Sequence, residues 1–178
     1  MTLDSFESAR LRAERLTPAH FADLRAMDQS AGFMAHLGGP RDEAGTAAYL
    51  ESNLAHWSTY GFGLWMLRER HAPAVVGRCC VRHLTLDGID EIEVGYGFLP
   101  EYWGRGFATE IALACVDITL NTLHHPTAVA ITLQGNTGSQ HVLTKAGLTY
   151  ERMVQHAGLW HMLFRSSLRS TDDQRRTR

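Results

Sequence analysis

One two-glycine turn marks a change of period that most constrains this chain. Glu91 to Phe98 alternates as a strand, Pro100 ends that pattern, and Ile111 to Leu120 recurs as a helix, with Tyr102-Trp103-Gly104-Arg105-Gly106-Phe107-Ala108-Thr109-Glu110 between them. A strand that passes through two glycines into a helix leaves the free N–H groups of the helix start beyond the strand end, an arrangement suited to phosphate.

The rest of the sequence supplies a single core around that turn. Ala9 to Leu16 alternates as a strand, and Thr17-Pro18 opens a helix carrying Phe21, Leu24 and Met27. After the break at Gly38-Gly39-Pro40, Asp42 to Tyr60 places Ala47, Leu50, Leu54 and Trp57 at helical steps. Phe62 to Arg68, Ala74 to Leu84 and Glu91 to Phe98 read as an antiparallel meander, joined at His71-Ala72-Pro73 and Asp87-Gly88. Beyond the long helix follow a strand (Ala128 to Leu133), a helix (Asn136 to Ala146, stopped by Gly147) and two strands, Leu148 to Gln155 and Leu159 to Phe164. The predicted order is β-α-α-β-β-β-α-β-α-β-β, with 1–8 a polar lead-in, 9–165 one domain and 166–178 a frayed polar tail.

Composition excludes several classes. A net charge of -2 lacks the basic face of a general nucleic-acid binder. No apolar run nears the roughly 20 residues of a membrane helix. Three cysteines and an N-terminus without an apolar stretch point to a soluble, cytoplasmic protein. Ten histidines form no HExxH or paired Cys/His spacing, so no metal is expected. Lys145, the only lysine, is read as a solvated side chain. Cys115 is read as a small core residue, which argues against an acyl-cysteine.

The strand before the turn has two unlike faces. Ile92, Val94, Tyr96 and Phe98 form an apolar one; Glu91, Glu93, Gly95 and Gly97 form a nearly bare one. Glycines within a strand mark a bulge or a place where another group comes close, and Glu93 heads that lane as a proton-acceptor candidate, with Glu91 and Asp90 as alternatives. A Rossmann reading of Gly104 to Thr109 fails at its third small position and lacks the later acidic residue; a P-loop fails because no Gly-Lys-Ser/Thr occurs.

The residues do match another pattern. Glu93-Val94-Gly95-Tyr96 followed by Pro100-Glu101-Tyr102-Trp103-Gly104-Arg105-Gly106-Phe107-Ala108-Thr109-Glu110 resembles the acetyl-CoA motif of the GNAT N-acetyltransferases, in particular their RimJ/RimL-like branch. Asn136, Ser139, Val142, Leu143, Lys145 and Gly147-Leu148 resemble that branch's later segment, and Ala9 to Thr17 its opening strand.

The resemblance implies an α/β (α+β) GNAT fold, a central mostly antiparallel mixed sheet of about seven strands flanked by about four helices. It implies acetyl transfer from acetyl-CoA to a primary amine, either a protein N-terminal amine or a small-molecule amine, by direct attack on the thioester. The implied cofactor contacts are Phe98, Leu99, Gly104, Arg105, Gly106, Phe107, Ala108, Thr109, Asn136 and Ser139, the turn acting mainly through main-chain N–H groups and Arg105 adding charge. The implied catalytic residues are Glu93 as base and Ser139 as donor to the departing thiolate. Many family members use a tyrosine where this chain has Leu143, so that role does not carry over. The alternative is a non-catalytic acyl-CoA-binding or regulatory module. The partners expected are acetyl-CoA and the amine acceptor, with a homodimer left open, and neither nucleic acid nor membrane.

Overall fold

The computed structural model describes residues 2–167. Eight strands run through them: β1 (Ser5–Glu7), β2 (Leu11–Arg15), β3 (Leu64–Glu69), β4 (Val75–Leu86), β5 (Ile89–Phe98), β6 (Thr127–Leu133), β7 (Thr149–His156) and β8 (Leu159–Ser167). They form one sheet in the order β1-β2-β3-β4-β5-β6-β8-β7. Five α-helices accompany them: α1 (Phe21–Gln29), α2 (Ala31–Met34), α3 (Glu43–Tyr60), α4 (Phe107–Asp117) and α5 (Thr137–Lys145). No described helix is long and apolar enough to cross a membrane.

The expected mixed, mostly antiparallel sheet is present, with one strand and one helix more than the pattern suggested. The extra strand, β1, falls inside the stretch read as a lead-in; it pairs with β2 and sets Phe6 edge-on against Trp65 at 5.3 Å. A three-residue strand with one apolar residue carries too little period to be read from sequence. The extra helix, α2, is a single turn capped by the Ser30 hydroxyl. The tail expected over 166–178 lies, beyond β8, outside the described residues.

Helix α3 begins as its sequence specifies, with the Asp42 carboxylate accepting from Gly45 N at 2.7 Å, and ends on Gly61 at φ 74. Its inward stripe is Thr46, Leu50, Asn53 and Trp57, so Ala47 is exposed and Leu54 only partly buried. Asp28 explains why a threonine faces in. That carboxylate is fully buried, and the Thr46 hydroxyl donates to it at 3.0 Å.

His56 on α3 joins two strands. Its Nδ1 lies 2.9 Å from the Phe62 carbonyl and its Nε2 accepts from His83 N at 3.1 Å, an arrangement that requires the neutral ring. Burial first, then the nearby His83 and Arg82 charges, hold its pKa below the ordinary 6.5, against the Phe62 hydrogen bond. A histidine depressed in the folded state binds its proton more readily when unfolded. Its contribution is therefore complete above 6.5 and declines as pH falls through that value toward the lower folded one. The melting temperature is expected to drop more steeply between about pH 7 and 5.5 in the wild type than in a His56→Gln variant, as read by a thermal melt series. Equal slopes would remove His56 from this role.

One irregularity in the sheet positions the site. Every neighbouring pair of strands is antiparallel except β5 and β6, whose parallel pairing consists of the single contact Glu93 with Val129. Beyond Glu93 the two strands part, and Pro100, opening a short 3-10 turn over Pro100–Tyr102, prevents β5 from continuing. The gap opens toward the start of α4.

Candidate active site

Two cavities meet at this gap. One, of about 530 Å³, is lined by Phe98, Gly104, Gly106, Phe107, Ala108 and Thr109 among others; the second, of about 680 Å³, holds Glu93 and the β7–β8 turn in its wall. Tyr96, Gly97, Asn136 and Ser139 line both.

The turn at the mouth of the first cavity has the conformation its glycines suggest. Gly104 and Gly106 take φ 74 and 79, and Gly106 caps α4 in the left-handed region. The first helical bond runs from Glu110 N to Gly106 O, and the N–H groups of Arg105 to Thr109 have no acceptor among the described residues. The turn is braced from the chain's start. Arg10 donates to Glu110 through its amide and its Nε, both at 2.7 Å, and through Nη1 to the Arg105 carbonyl at 2.8 Å. Burial pushes the Glu110 carboxyl up, but the Ser8 hydroxyl and Arg10 outweigh it and hold the carboxyl below its usual value.

Two of the expected contacts face elsewhere. The Arg105 guanidinium makes a two-pronged pair with Glu69 at 2.9 Å and lies over the Phe107 ring, outside the cavity lining. Leu99 N donates to Val76 O, and its side chain packs against the core.

The bare lane of β5 is filled by protein. A Cβ at Gly95 would lie 2.8 Å from Cys80 Sγ, and one at Gly97 would lie 2.9 Å from the Phe33 ring, while the β4–β5 register runs unbroken. These glycines admit a thiol and an aromatic ring rather than a bulge. Cys80 lines the second cavity, but burial pushes its thiol up to about 12, so it is held as a thiol rather than a nucleophilic thiolate.

Glu93 is buried and faces Arg82 directly across the hairpin, its Oε2 accepting from Arg82 Nε at 2.6 Å. That carboxylate, before the cost of burial, holds the guanidinium's pKa well above its ordinary value. Glu93 Oε1 has no partner among the described residues, and no buried side-chain oxygen there is unsatisfied, so Oε1 opens onto the cavity. The other two candidates face away: Glu91 pairs with Arg165 at 2.7 and 2.9 Å, and Asp90 with His83 at 2.8 Å.

Asn136 and Ser139 sit at the start of α5. The Asn136 side-chain carbonyl accepts from Ser139 N at 3.1 Å, so it caps the helix while its NH₂ group has no acceptor among the described residues. The Ser139 hydroxyl is 3.0 Å from the Tyr96 hydroxyl, which also lies 3.3 Å from the Ser139 carbonyl. Burial pushes the Tyr96 phenol up to about 12, against the Ser139 hydrogen bond. Leu143 is buried and offers no hydroxyl.

Tyr96 is the cavity residue that the sequence pattern hid. It lies within an apolar stripe, between Val94 and Phe98, where a core side chain is the expectation, and only the position of α5 shows where its hydroxyl goes. The signal available was a hydroxyl between two glycines.

A parted pair of parallel strands, with a helix-start turn at one mouth and a second chamber at the other, is a frame that suits an acyltransferase. The chain belongs to the GNAT acetyltransferase family: the acetyltransferase (GNAT) domain profile matches residues 10–149. Uncharacterized protein YkkB of Bacillus subtilis (strain 168) is 27% identical over 122 residues, covering 68% of this chain and 71% of YkkB. The crystal structure of the acetyltransferase from Agrobacterium tumefaciens str. C58 superposes with a TM-score of 0.82 at 26% identity, over 93% of this chain and 95% of that one. RimL, the ribosomal L7/L12 alpha-N-protein acetyltransferase in complex with coenzyme A, shares the fold at TM-score 0.74 and 13% identity, over 90% of this chain and 95% of RimL.

Proposed function

We propose that this chain moves the acetyl group of acetyl-CoA onto a primary amine, the donor lying in the cavity beside α4 and the acceptor in the cavity beside Glu93. The observation that carries this reading is the junction of the two cavities at Tyr96, Gly97, Asn136 and Ser139. Five main-chain N–H groups without acceptors among the described residues, on a turn whose glycine Cβ positions meet nothing closer than 3.4 Å, fit a pyrophosphate. The Asn136 NH₂ group is free to orient an amide or carbonyl at the junction.

Acetyl-CoA supplies a thioester whose carbonyl carbon takes the new C–N bond as the C–S bond breaks. The residues then have two proton tasks. An ammonium cannot attack, so Glu93 Oε1, directly or through one water, takes a proton from the amine. At the other side the departing thiolate needs a hydrogen-bond donor, and the proton it takes up is the second one lost by the amine nitrogen, passed directly or through water. A phenol near 12 does not yield its proton to a thiolate whose thiol has the ordinary pKa of about 8.5, and a serine hydroxyl is a weaker acid still. Tyr96 and Ser139 therefore both keep their protons; with Tyr96 as the donor of the pair, the Ser139 O–H is left to hydrogen-bond the departing sulfur.

Two variants separate these roles. Ser139→Ala is expected to lower kcat on the order of 100-fold, the usual loss for one donor aimed at developing negative charge. Tyr96→Phe is expected to lower it by about tenfold, with the KM for acetyl-CoA unchanged, because only a positioning hydrogen bond is lost. A Tyr96→Phe change confined to KM would sink the relay. The RimJ/RimL-like motifs support a protein N-terminal amine as acceptor, and the second chamber, of about 680 Å³, also fits a small amine. Release of CoA that requires an added amine tests the reading; acetyl-CoA binding with no turnover on any peptide or amine would leave a binding module.

A further inference from the structure

We propose that Arg41 and Arg78 form an anion seat in the acceptor cavity, and that the acceptor is an amine bearing a carboxylate a few bonds away; this rests on the acetyl-transfer reading above. The two guanidiniums share one counter-charge. Asp28 Oδ1 accepts from Arg41 Nη1 at 2.8 Å and from Arg78 Nη1 at 3.3 Å, while its Oδ2 is taken by Thr46. The neighbouring pair, Arg82 with Glu93, is balanced one to one. The cavity wall therefore holds one more fixed positive charge than negative.

Arg78 is oriented as well as charged. It is 5% exposed and lies over both the Phe33 ring at 5.0 Å and the Tyr49 ring at 4.6 Å, which leaves its edge as the open side. Arg41 lies over the same Tyr49 ring at 4.5 Å. The Nε and Nη2 groups of Arg78 have no acceptor among the described residues, yet no buried side-chain nitrogen there lacks a partner, so these N–H groups face the cavity that Arg78 lines. A guanidinium edge held by aromatic rings with two donors unspent matches the geometry of a carboxylate.

The place of the seat limits the acceptor. Arg78 stands across the ladder from Gly97, and Gly97 lines both cavities, so the seat is built on the strand next to their junction and within the same cavity wall. A compact amino acid fits such a place, as does an acidic side chain near the start of a peptide. A bare ammonium in the same cavity would face the uncompensated positive charge.

The test is calorimetry on the full chain saturated with CoA, with CoA-release assays beside it. Glycine and β-alanine are compared with glycinamide and β-alaninamide; in a second arm, tripeptide amides carrying Asp at the second position are compared with those carrying Asn. The acids of at least one arm are expected to bind on the order of tenfold or more tightly than their amides, as for a hydrogen bond to a charged group. The arm that shows the preference identifies the source of the carboxylate. Arg78→Gln, and independently the more exposed Arg41→Gln should Arg78→Gln not fold, are expected to erase the preference, and Arg78→Lys to retain part of it. Equal binding of acids and amides in both arms, or a preference that survives both glutamine variants, overturns the seat. Turnover of amides and acids alike removes the seat and leaves acetyl transfer standing. Acid-selective binding without CoA release from any amine removes the transfer and leaves the seat.

Discussion

Gly106→Val is expected to weaken acetyl-CoA binding on the order of 100-fold, the result of losing one to two charge-assisted hydrogen bonds of about 1.5–3 kcal/mol each. The reason lies in the backbone. Gly106 holds φ 79 as the cap of α4, a conformation costing a non-glycine residue about 1–3 kcal/mol and least accessible to a β-branched one. Relaxing that strain rotates the N–H groups of Phe107, Ala108 and Thr109 away from their common direction. Crowding within the protein is minor, because a Cβ there meets only Arg10 Nη2 at 3.4 Å. The fold loses roughly the strain energy, so the melting temperature of the variant falls by several degrees. The measurement is calorimetric titration with acetyl-CoA alongside a melt, and unchanged affinity would detach the turn from the pyrophosphate. Gly104→Val, at φ 74 but one step outside the run of free N–H groups, is the comparison.

How far such a site is legible in sequence depends on how far apart its parts lie. The turn was fully legible, because strand, glycines and helix start adjoin, and the left-handed cap follows from the chemistry of the glycines alone. The pairing of Arg82 with Glu93 was also within reach. A two-residue Asp87-Gly88 turn, found at φ 52 and 80, fixes the hairpin register, and the two residues are equidistant from it. The glycines of β5 read as a bulge or a place where another group comes close, and it is Phe33 from α2 and Cys80 from β4 that come close; strand period reports which face a residue takes and not what packs there. Tyr96 with Ser139, and Asp28 with Arg41 and Arg78, join residues from distant segments. Nothing local in the chain encodes those contacts; they appear only when the sheet sets α1, α3 and α5 in place. The stripe of α3 shows the same limit, because a buried aspartate from another helix draws Thr46 inward.

Glu93→Gln is expected to lower kcat with an amine acceptor by about 10²- to 10⁴-fold, the range supplied by a positioned general base. The amide keeps the carboxylate's shape and can still accept from Arg82 Nε, so the β4–β5 hairpin and the cavity wall are retained. Stability falls modestly, by about 1–2 kcal/mol, as a charge-assisted hydrogen bond becomes an ordinary one. Glu93 lines the acceptor cavity and not the donor cavity, so affinity for acetyl-CoA is expected to stay within about twofold, as for a distant site with no shared partner. That split distinguishes a base from a structural partner of Arg82. Were the carboxylate present only to neutralise Arg82, Glu93→Gln would unsettle the wall and change both substrates' KM, and an Arg82→Gln/Glu93→Gln double variant would regain activity. For a base, the double variant stays as slow as Glu93→Gln alone. Full turnover by Glu93→Gln across pH would return the proton to water and leave the carboxylate a purely structural partner of Arg82.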